Sequence, residues 1–401
     1  MTTYDYLIIG AGIFGLTAAV ELNMRGHSVA LLDPGPIPHP LAASTDISKV
    51  VRMEYGADEQ YMAMVEQAIT GWHEWNMRFG MVYHQIGVTM LTRHALEPGD
   101  YEYESLMLLI KRGHHPDRLE SDDIRRRFPA WDADVYVDGF YHARGGYAES
   151  GRVIEALADK ADIEGVYLRA GRTVNEILVE NGRCQGVHTV EGETFAAGHV
   201  IVAAGAWTHI LLPELAGVMR ASGHPVFHLK APDKDLFSPP KFVVFTADIT
   251  RSGWYGFPYH PDERVVKIAN HGVGQTLHPV EDERLVTVAD EHTLRQFLAE
   301  TFPALLNAPI VYTRRCLYSD TLDEHFWIDR HPEIEGLTVA AGGSGHAFKF
   351  APILGGLIAD AAEGFANEWL PKFAWRELTP ETAGEEPARF HGTADDADSA
   401  D

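Results

Sequence analysis

A glycine-rich turn near the start of the chain constrains the fold more than any other feature of the sequence. Residues 4–9 form a short apolar run typical of a buried strand, and GAGIFG follows, with Gly10, Gly12 and Gly15 ahead of a helix-forming segment. This spacing lets a pyrophosphate approach the backbone and meet a helix N-terminus. Asp33 ends the next predicted strand and can accept a hydrogen bond from a ribose hydroxyl. The pattern therefore predicts a dinucleotide-binding βαβ unit, with an ordinary glycine turn as the alternative, and it does not separate FAD from NAD.

The rest of the chain predicts an α/β protein, α+β overall, whose dinucleotide-binding part is built from separated segments. Residues 34–48 read as a loop, residues 62–72 as the apolar stripe of a long helix, and residues 82–91 as a strand. Between residues 217 and 313, short β-branched and aromatic runs favour an antiparallel sheet, interrupted by a helix at residues 290–302.

Domain boundaries follow from this alternation of patterns. We predict a discontinuous cofactor-binding domain of residues 1–85, 141–215 and 320–375, a substrate domain of residues 86–140 and 216–319, and a disordered acidic tail of residues 379–401.

Composition excludes several other classes of protein. With 33 Lys+Arg against 58 Asp+Glu the net charge is −25, which disfavours nucleic acid as a partner. No apolar run approaches the ~20 residues that span a bilayer, and the start MTTYDYLIIG resembles no signal peptide. Cys184 and Cys316 are too few for a disulfide scaffold, so a soluble cytoplasmic protein is expected. No metal-ligand motif is present, because HEWNM at residues 73–77 lacks the second histidine of a zinc site.

Three segments resemble a family of flavin enzymes. RCLYSDTLDEHFWIDRHP at residues 315–332 and GGSGHAFKF at residues 342–350 closely resemble monomeric sarcosine oxidase and its relatives, which include N-methyltryptophan, pipecolate and fructosyl-amino-acid oxidases (amadoriases). VIVAAGAW at residues 200–207 resembles the second flavin-contacting strand of the wider group around D-amino-acid oxidase. The resemblance implies FAD, held by a glutathione-reductase-like Rossmann domain with an inserted antiparallel-sheet substrate domain. It also implies a monomer.

The resemblance implies a set of cofactor contacts, several of which coincide with the motifs above. It implies that Cys316 carries FAD through a thioether to the flavin 8α-methyl, whereas residue type alone favours a small buried hydrophobe. Cys184 is interpreted as an inert residue in a turn, and Trp207 has a core role as its alternative. The predicted cofactor-binding residues are Gly10, Gly12, Ile13, Gly15, Asp33, Ser44, Lys49, Val174, Ala204, Gly205, Trp207, Cys316, Gly343, Gly345, His346 and Lys349.

Three basic residues match family positions for the chemistry. Arg52 and Lys349 match the pair that binds the substrate carboxylate, and Lys267 matches the lysine that activates dioxygen. Solvated surface charges are the alternative for Arg52 and Lys267. The pocket is further predicted to be lined by Tyr255, His271, Tyr318 and His346, the last as a contact or as a hydrogen-bonded support.

The resemblance implies oxidation of the secondary amine of an N-substituted amino acid by hydride transfer to the flavin. The imine then hydrolyses and dioxygen becomes hydrogen peroxide. Lys49 stands where sarcosine oxidases carry arginine, Ala347 replaces a usual glycine, and residues 32–49 look more like the amadoriases, which favours a bulkier substrate. The alternatives are a fructosyl-amino-acid, iminodiacetate or cyclic imino acid (pipecolate or proline) oxidase, a dehydrogenase serving a carrier protein, and a flavoprotein without turnover.

Overall fold

The computed structural model describes residues 3–379 and residue 389 of the chain. Its first elements are those that the glycine turn predicts: a buried strand, the turn, a helix and a second buried strand. The strands are β1 (Thr3–Ile9), β2 (Val29–Asp33), β3 (Lys49–Val51), β4 (Tyr83–His84), β5 (Val88–Thr92), β6 (Asp117–Glu120), β7 (Asp138–His142), β8 (Gly146–Ala148), β9 (Tyr167–Ala170), β10 (Val174–Glu180), β11 (Arg183–Thr189), β12 (Thr194–Val202), β13 (Met219–Leu229), β14 (Val244–Ala247), β15 (Trp254–Phe257), β16 (Val266–Asn270), β17 (Gln275–Thr276), β18 (Ile310–Thr321), β19 (Trp327–Arg330) and β20 (Leu337–Ala341).

Most of the helices pack on the sheets or connect them. They are α1 (Ile13–Met24), α2 (Glu59–Phe79), α3 (Tyr101–Lys111), α4 (Ser121–Arg127), α5 (Ser150–Ile163), α6 (Thr208–Leu211), α7 (Ile249–Ser252), α8 (Val288–Thr301) and α9 (Ala351–Glu363). No helix in this described part is both long and apolar enough to cross a bilayer.

The first sheet has a parallel core in the spatial order β9-β2-β1-β12-β20. The strands β10, β11 and β19 extend it in antiparallel fashion. Because the core strands are parallel, their carboxyl ends meet at one edge, where a doubly wound sheet binds its ligand. The mixed α/β fold predicted from the sequence is therefore confirmed.

The second sheet has the order β17-β13-β16-β15-β14-β5-β7-β6, with β18 also paired to β13. Its pairs are antiparallel except one, since β14 and β5 run parallel. The expectation of an antiparallel sheet is therefore wrong at this pair. The partner of β14 comes from a distant part of the chain, and local sequence patterns do not reveal such a pairing.

The prediction of a single strand at residues 82–91 is also wrong, because two strands, β4 and β5, occupy this segment. Gly87 lies between them with a φ of +89°, and its N–H donates to Gly145 O rather than to a neighbouring strand. β4 joins β3 and β8 in a third, small sheet, while β5 enters the second sheet. The segment from β3 to β5 thus links the two large sheets beside the pocket described below.

Two large apolar clusters support these layers. One joins α1, α2, α5 and α9 to the first sheet and includes the fully buried Trp72. The other packs α8 against the second sheet through aromatic contacts among Phe242, Phe245 and Phe302, whose ring centroids lie 4.9–5.4 Å apart. Edge-on aromatic contacts at this spacing stabilise a core beyond the burial of their area. Both sheets are therefore rigid supports for the site between them.

Candidate active site

The cofactor cleft is formed where the parallel strands of the first sheet end. Gly10 has a φ of +104°, and an added Cβ would lie 2.5 Å from Ala203 O, so only glycine suits this turn. The first turn of α1 carries no acidic side chain, which leaves its N-terminus suited to a phosphate. At the end of β12, open space surrounds the position that a Cβ of Gly205 would occupy. These backbone surfaces fit a dinucleotide such as FAD.

The other predicted cofactor residues lie around this cleft in varied environments. Ser44 Oγ accepts a hydrogen bond from Ile13 N (2.9 Å), which ties the loop before β3 to the glycine turn. Asp33 is buried at the end of β2 and accepts from Ala11 N (2.8 Å) and Gly35 N (2.9 Å), while burial raises the pKa of its carboxyl. Since each carboxylate oxygen accepts more than one hydrogen bond, Asp33 retains capacity for a ribose.

Three further residues predicted to contact the cofactor, Val174, Trp207 and Gly345, lie in different surroundings. Val174 is buried at the start of β10 in an apolar cluster, and Trp207 follows β12 with the Arg284 guanidinium 4.8 Å above its ring. Gly345, with a φ of +76°, approaches the Tyr318 ring so closely that an added Cβ would lie 2.3 Å from it. Only glycine therefore fits at position 345.

A pocket lies between the two large sheets and brings together many of the predicted site residues. Its lining combines the β3 segment, the second sheet and the turn after β20. The lining residues are Lys49, Val50, Arg52, Thr246, Ile249, Tyr255, Phe257, His271, Tyr318, Gly345, His346, Phe348 and Lys349. Lys267 and Cys316 lie outside this lining.

Tyr55 connects the two cations that the sequence assigns to the substrate carboxylate. Lys349 Nζ donates to Tyr55 Oη (2.7 Å) and lies 4.5 Å from its ring centroid, and the Arg52 guanidinium lies 5.6 Å from the same centroid. His346 Nδ1 also bonds to the Tyr55 hydroxyl (2.9 Å). Arg52 donates to Tyr101 Oη (2.7 Å) and to the carbonyl of Glu54. Both cations are thus held at one end of the pocket.

Two of the basic residues, Arg52 and Lys267, are too deeply buried to be solvated surface charges. Arg52 is 4% exposed and Lys267 1% exposed, so the interpretation as solvated surface charges is wrong for both. Lys267 Nζ donates to Asp46 Oδ2 (2.7 Å) and to Ser48 O (2.6 Å). Burial lowers the pKa of Lys267 to about 8, against the opposing effect of Asp46.

Tyr255 and Tyr318 of the second sheet, and His271 directly after β16, contribute aromatic and imidazole rings to the lining. Tyr255 and Tyr318 share a hydrogen bond, and burial raises the pKa of both hydroxyls, so each is neutral. The His224 ring stacks on Tyr318 at 4.0 Å and 18°, and His271 lies 6.0 Å from Tyr318 between ring centroids. Burial also holds the pKa of His224 well below its usual range, so this imidazole is neutral as well.

The two cysteines occupy different sites. Cys316 is buried on β18 in one apolar cluster with Tyr255 and Tyr318, and Arg314 Nη2 lies 3.6 Å from its sulfur. Cys184 was expected in a turn, but it lies on β11 and is buried. The turn itself is formed by the two residues before β11, which adopt positive φ.

Several residues of this region were not singled out from the sequence. Tyr55 follows Arg52 by three positions, and that proximity is the only signal that marks it. Asp46 lies in a loop with no periodic pattern, and Arg389 lies within the segment predicted to be disordered, most of which falls outside the described residues. Arg389 is buried and donates to Asp320 (2.8 and 3.2 Å) and to Ser344 O (2.9 Å).

A parallel-core sheet with a glycine turn, placed against a second sheet across a cationic and aromatic pocket, is the arrangement expected of a dinucleotide-dependent oxidoreductase. The family model described as FAD dependent oxidoreductase (DAO) matches residues 5–361, and the chain belongs to this family.

The chain is similar to several characterised members of this family. The chain is 29% identical to L-saccharopine oxidase of Schizosaccharomyces pombe, over 92% of this chain and 93% of the relative. It is 26% identical to monomeric sarcosine oxidase of Bacillus sp. (strain B-0618), over 90% and 92%. The crystal structure of fructosyl amine:oxygen oxidoreductase (Amadoriase I) from Aspergillus fumigatus is similar with a TM-score of 0.81 and 25% identity, over 98% of this chain and 94% of that one. The chain is therefore an FAD-dependent oxidoreductase, and the alternative of a flavoprotein without turnover is set aside.

Proposed function

We propose that this chain oxidises the secondary amine of an N-substituted amino acid to an imine, which hydrolyses, while dioxygen is reduced to hydrogen peroxide. The observation that carries the proposal is the pair Arg52 and Lys349, both buried beside Tyr55 at one end of the pocket. Among the described residues Arg52 forms no ion pair, and its hydrogen bonds go to neutral oxygens. The buried Glu54 carboxylate acts on Arg52 through space but bonds to His142 instead (2.8 Å). A buried cation is costly without an anion in contact, and a substrate carboxylate supplies one.

The remaining lining orients the reacting end of such a substrate. With its carboxylate on Arg52 and Lys349, the amine and adjacent carbon extend toward Tyr255, Tyr318 and His271. Because both tyrosines are neutral, this wall favours the uncharged amine, the form that can give up a hydride. When bound, FAD supplies the hydride acceptor.

The test of the proposed function is a screen of the anaerobic holoenzyme for bleaching of the flavin. The compounds are sarcosine, other N-methyl amino acids, pipecolate, proline, iminodiacetate, fructosyl amino acids and, because of the relative of that name, saccharopine. Bleaching by at least one N-substituted amino acid is expected. Bleaching by primary amino acids alone would contradict the proposal.

The oxidase is distinguished from a dehydrogenase by the fate of the electrons. We expect one hydrogen peroxide for each substrate consumed in air. Lys267→Met is expected to slow reoxidation by dioxygen while leaving anaerobic reduction nearly unchanged, because a positive charge stabilises developing superoxide. Turnover only with an added carrier or dye would favour the dehydrogenase.

We predict that Arg52→Met raises KM for the amino acid by about 10- to 100-fold, because a charge-assisted hydrogen bond contributes roughly 1.5–3 kcal/mol. The N-substituted amine without a carboxyl group serves as the matched substrate, and its kcat/KM should change little. Steady-state kinetics on both substrates decide the outcome. An equal loss on both would show that Arg52 acts on the fold of the pocket rather than on the carboxylate.

We propose that Cys316 carries FAD through a thioether, supported by its burial beside Tyr255 and Tyr318. Acid precipitation of the holoprotein should leave the yellow colour in the pellet. In Cys316→Ser the colour should move to the supernatant, whereas Cys184→Ser, the matched control, should behave as the wild type. Release of all colour from the wild type would contradict the attachment.

We also propose that the chain is divided into the cofactor and substrate domains given above, that it is a monomer and that it is located in the cytoplasm. Light scattering during size exclusion tests the monomer, for which a mass near 44.5 kDa is expected.

A further inference from the structure

Asp46 lies in the loop between β2 and β3 and is fixed there from several sides. Its backbone carbonyl accepts hydrogen bonds from Gly151 N (2.8 Å) and Ser150 Oγ (2.9 Å) at the start of α5. Its side chain is 2% exposed, and Oδ1 accepts from Ile47 N (2.7 Å). The carboxylate therefore has little freedom to move.

The other carboxylate oxygen, Oδ2, accepts from Lys267 Nζ (2.7 Å), a residue of β16 in the other large sheet. Lys267 Nζ also donates to Ser48 O (2.6 Å) and lies 4.7 Å from the Phe257 ring centroid. An ammonium has three N–H donors, and the described residues accept two of them. The amine is thus held in one orientation, and its third N–H is not accepted by any described residue.

The charged groups around this pair act in opposite directions on the lysine. Burial lowers the pKa of Lys267 to about 8, Asp46 opposes this, and Lys49 and Arg314 add to the lowering. Burial alone would raise the pKa of Asp46, but Lys267, His228, Lys49 and Arg314 outweigh it and hold that pKa well below its usual range. Asp46 is therefore the one described group among these that favours the charged form of Lys267.

We propose that Asp46 is a positioning residue that keeps Lys267 protonated and in a fixed orientation. It thereby controls the rate at which the reduced enzyme reacts with dioxygen. This inference rests on the role proposed above for Lys267. The step moves two electrons and two protons from the reduced cofactor to one dioxygen, giving one hydrogen peroxide. The ammonium acts on the negative charge that appears on oxygen after the first electron. Without Asp46, burial and two cations all favour the neutral amine.

The kinetic test measures reoxidation of the reduced holoenzyme by dioxygen in a stopped-flow instrument between pH 5.5 and 9. In the wild type the rate constant should fall as the pH rises through about 8. In Asp46→Asn the fall should move down by about one pH unit or more, so that reoxidation is slow at pH 7 and recovers at pH 5.5. Lys267→Met should be slow throughout and show no such break. Asp159→Asn, which removes an exposed carboxylate from α5, should keep the wild-type profile.

A second readout does not depend on turnover. In protein labelled with [ε-13C]lysine, the Lys267 resonance is identified by its loss in Lys267→Met, and its titration is followed by NMR. It should titrate near pH 8 in the wild type and clearly lower in Asp46→Asn. Asp46→Glu keeps a carboxylate, so its titration should stay near that of the wild type, and it serves if Asp46→Asn is unstable.

The outcomes separate the two proposals. If Lys267→Met is slow but Asp46→Asn titrates and reoxidises as the wild type does, the role of Asp46 is wrong and the oxidase stands. If Lys267→Met reoxidises at the wild-type rate, the role of Lys267 toward dioxygen is wrong, and with it the kinetic part of this inference. A Lys267 titration displaced equally in Asp46→Glu and Asp46→Asn would also overturn the role of Asp46, because charge would not be the cause.

Discussion

Tyr55 is the residue on which the cationic end of the pocket depends. Its hydroxyl meets Lys349, 294 positions away in the chain, and His346, while its ring lies under both Lys349 and Arg52. A ring face near two cations offsets part of the cost of burying like charges together. One aromatic side chain thereby fixes the distance between the two groups proposed to bind the carboxylate.

We predict that Tyr55→Phe lowers kcat/KM for the amino acid about 10-fold, mainly through KM, because a hydrogen bond to a charged amine is lost while the ring remains. Tyr61→Phe is the control, since its ring stacks on Tyr55 but its hydroxyl bonds to His325 instead. Steady-state kinetics of both variants test this. An equal effect in both would mean that packing of the two rings, not the hydroxyl, matters.

At the scale of elements, a buried carboxyl group joins α3 to α7. Glu102 of α3 is 1% exposed, and its Oε1 accepts a hydrogen bond from Ile249 N at the start of α7 (3.2 Å). Ile249 also lines the pocket. Burial, with Asp248 nearby, raises the pKa of Glu102 from about 4.5 to about 7. The contact between the two helices is therefore sensitive to pH.

The sign of this effect follows from the direction of the shift. Because the folded state binds the Glu102 proton more tightly than the unfolded chain, the favourable contribution is complete below pH 4.5 and is lost as the pH rises through about 7. We predict that Glu102→Gln stabilises the protein at pH 8.5 by up to about 3 kcal/mol and has little effect at pH 4.5. Unfolding in urea at both values measures this. Glu74→Gln, on the exposed face of α2, should show no such difference, and a destabilised Glu102→Gln at pH 8.5 would contradict the prediction.

At the scale of the whole molecule, a net charge of −25 surrounds a pocket whose cations are buried. The reacting form of the proposed substrate, a carboxylate with a neutral amine, is an anion. The surface charges act over the Debye length, whereas the pocket cations act at contact. The acidic surface therefore slows the approach of such a substrate, and the electrostatic interaction becomes favourable only when the substrate contacts the cations of the pocket.

We predict that raising ionic strength from about 20 to 200 mM increases kcat/KM for the amino acid about twofold, because it shortens the Debye length from about 20 to 7 Å. The neutral methyl ester of the same amine should show no increase, and kcat at saturation should stay constant. Initial rates at low substrate concentration measure the effect. A fall in kcat/KM with salt would show that cations, not the acidic surface, govern the approach.

The local sequence pattern was sufficient to predict those elements that are marked by their own residues. The βαβ unit with GAGIFG was predicted because strand, turn and helix follow one another and each is marked by its residues. The long helix α2 was predicted from apolar spacing, and a helix was predicted at residues 290–302, where α8 lies. The pairing of β14 with β5 and the break at Gly87 were not predicted, because they depend on partners elsewhere in the chain. The strand that holds Cys184 was also not predicted, although its partner β10 directly precedes it.

By itself the sequence determined the dinucleotide turn and the class of enzyme, since these are marked by motifs of adjacent residues, and a family resemblance predicted Arg52, Lys267 and Lys349 as site residues. Only the tertiary structure decided what each of those cations touches. Tyr55 lies between Arg52 and Lys349, and Asp46 bonds to Lys267, because segments far apart in the chain are brought within hydrogen-bond distance by the packing of two sheets. Such contacts arise from burial and geometry in three dimensions, and no spacing along the chain records them.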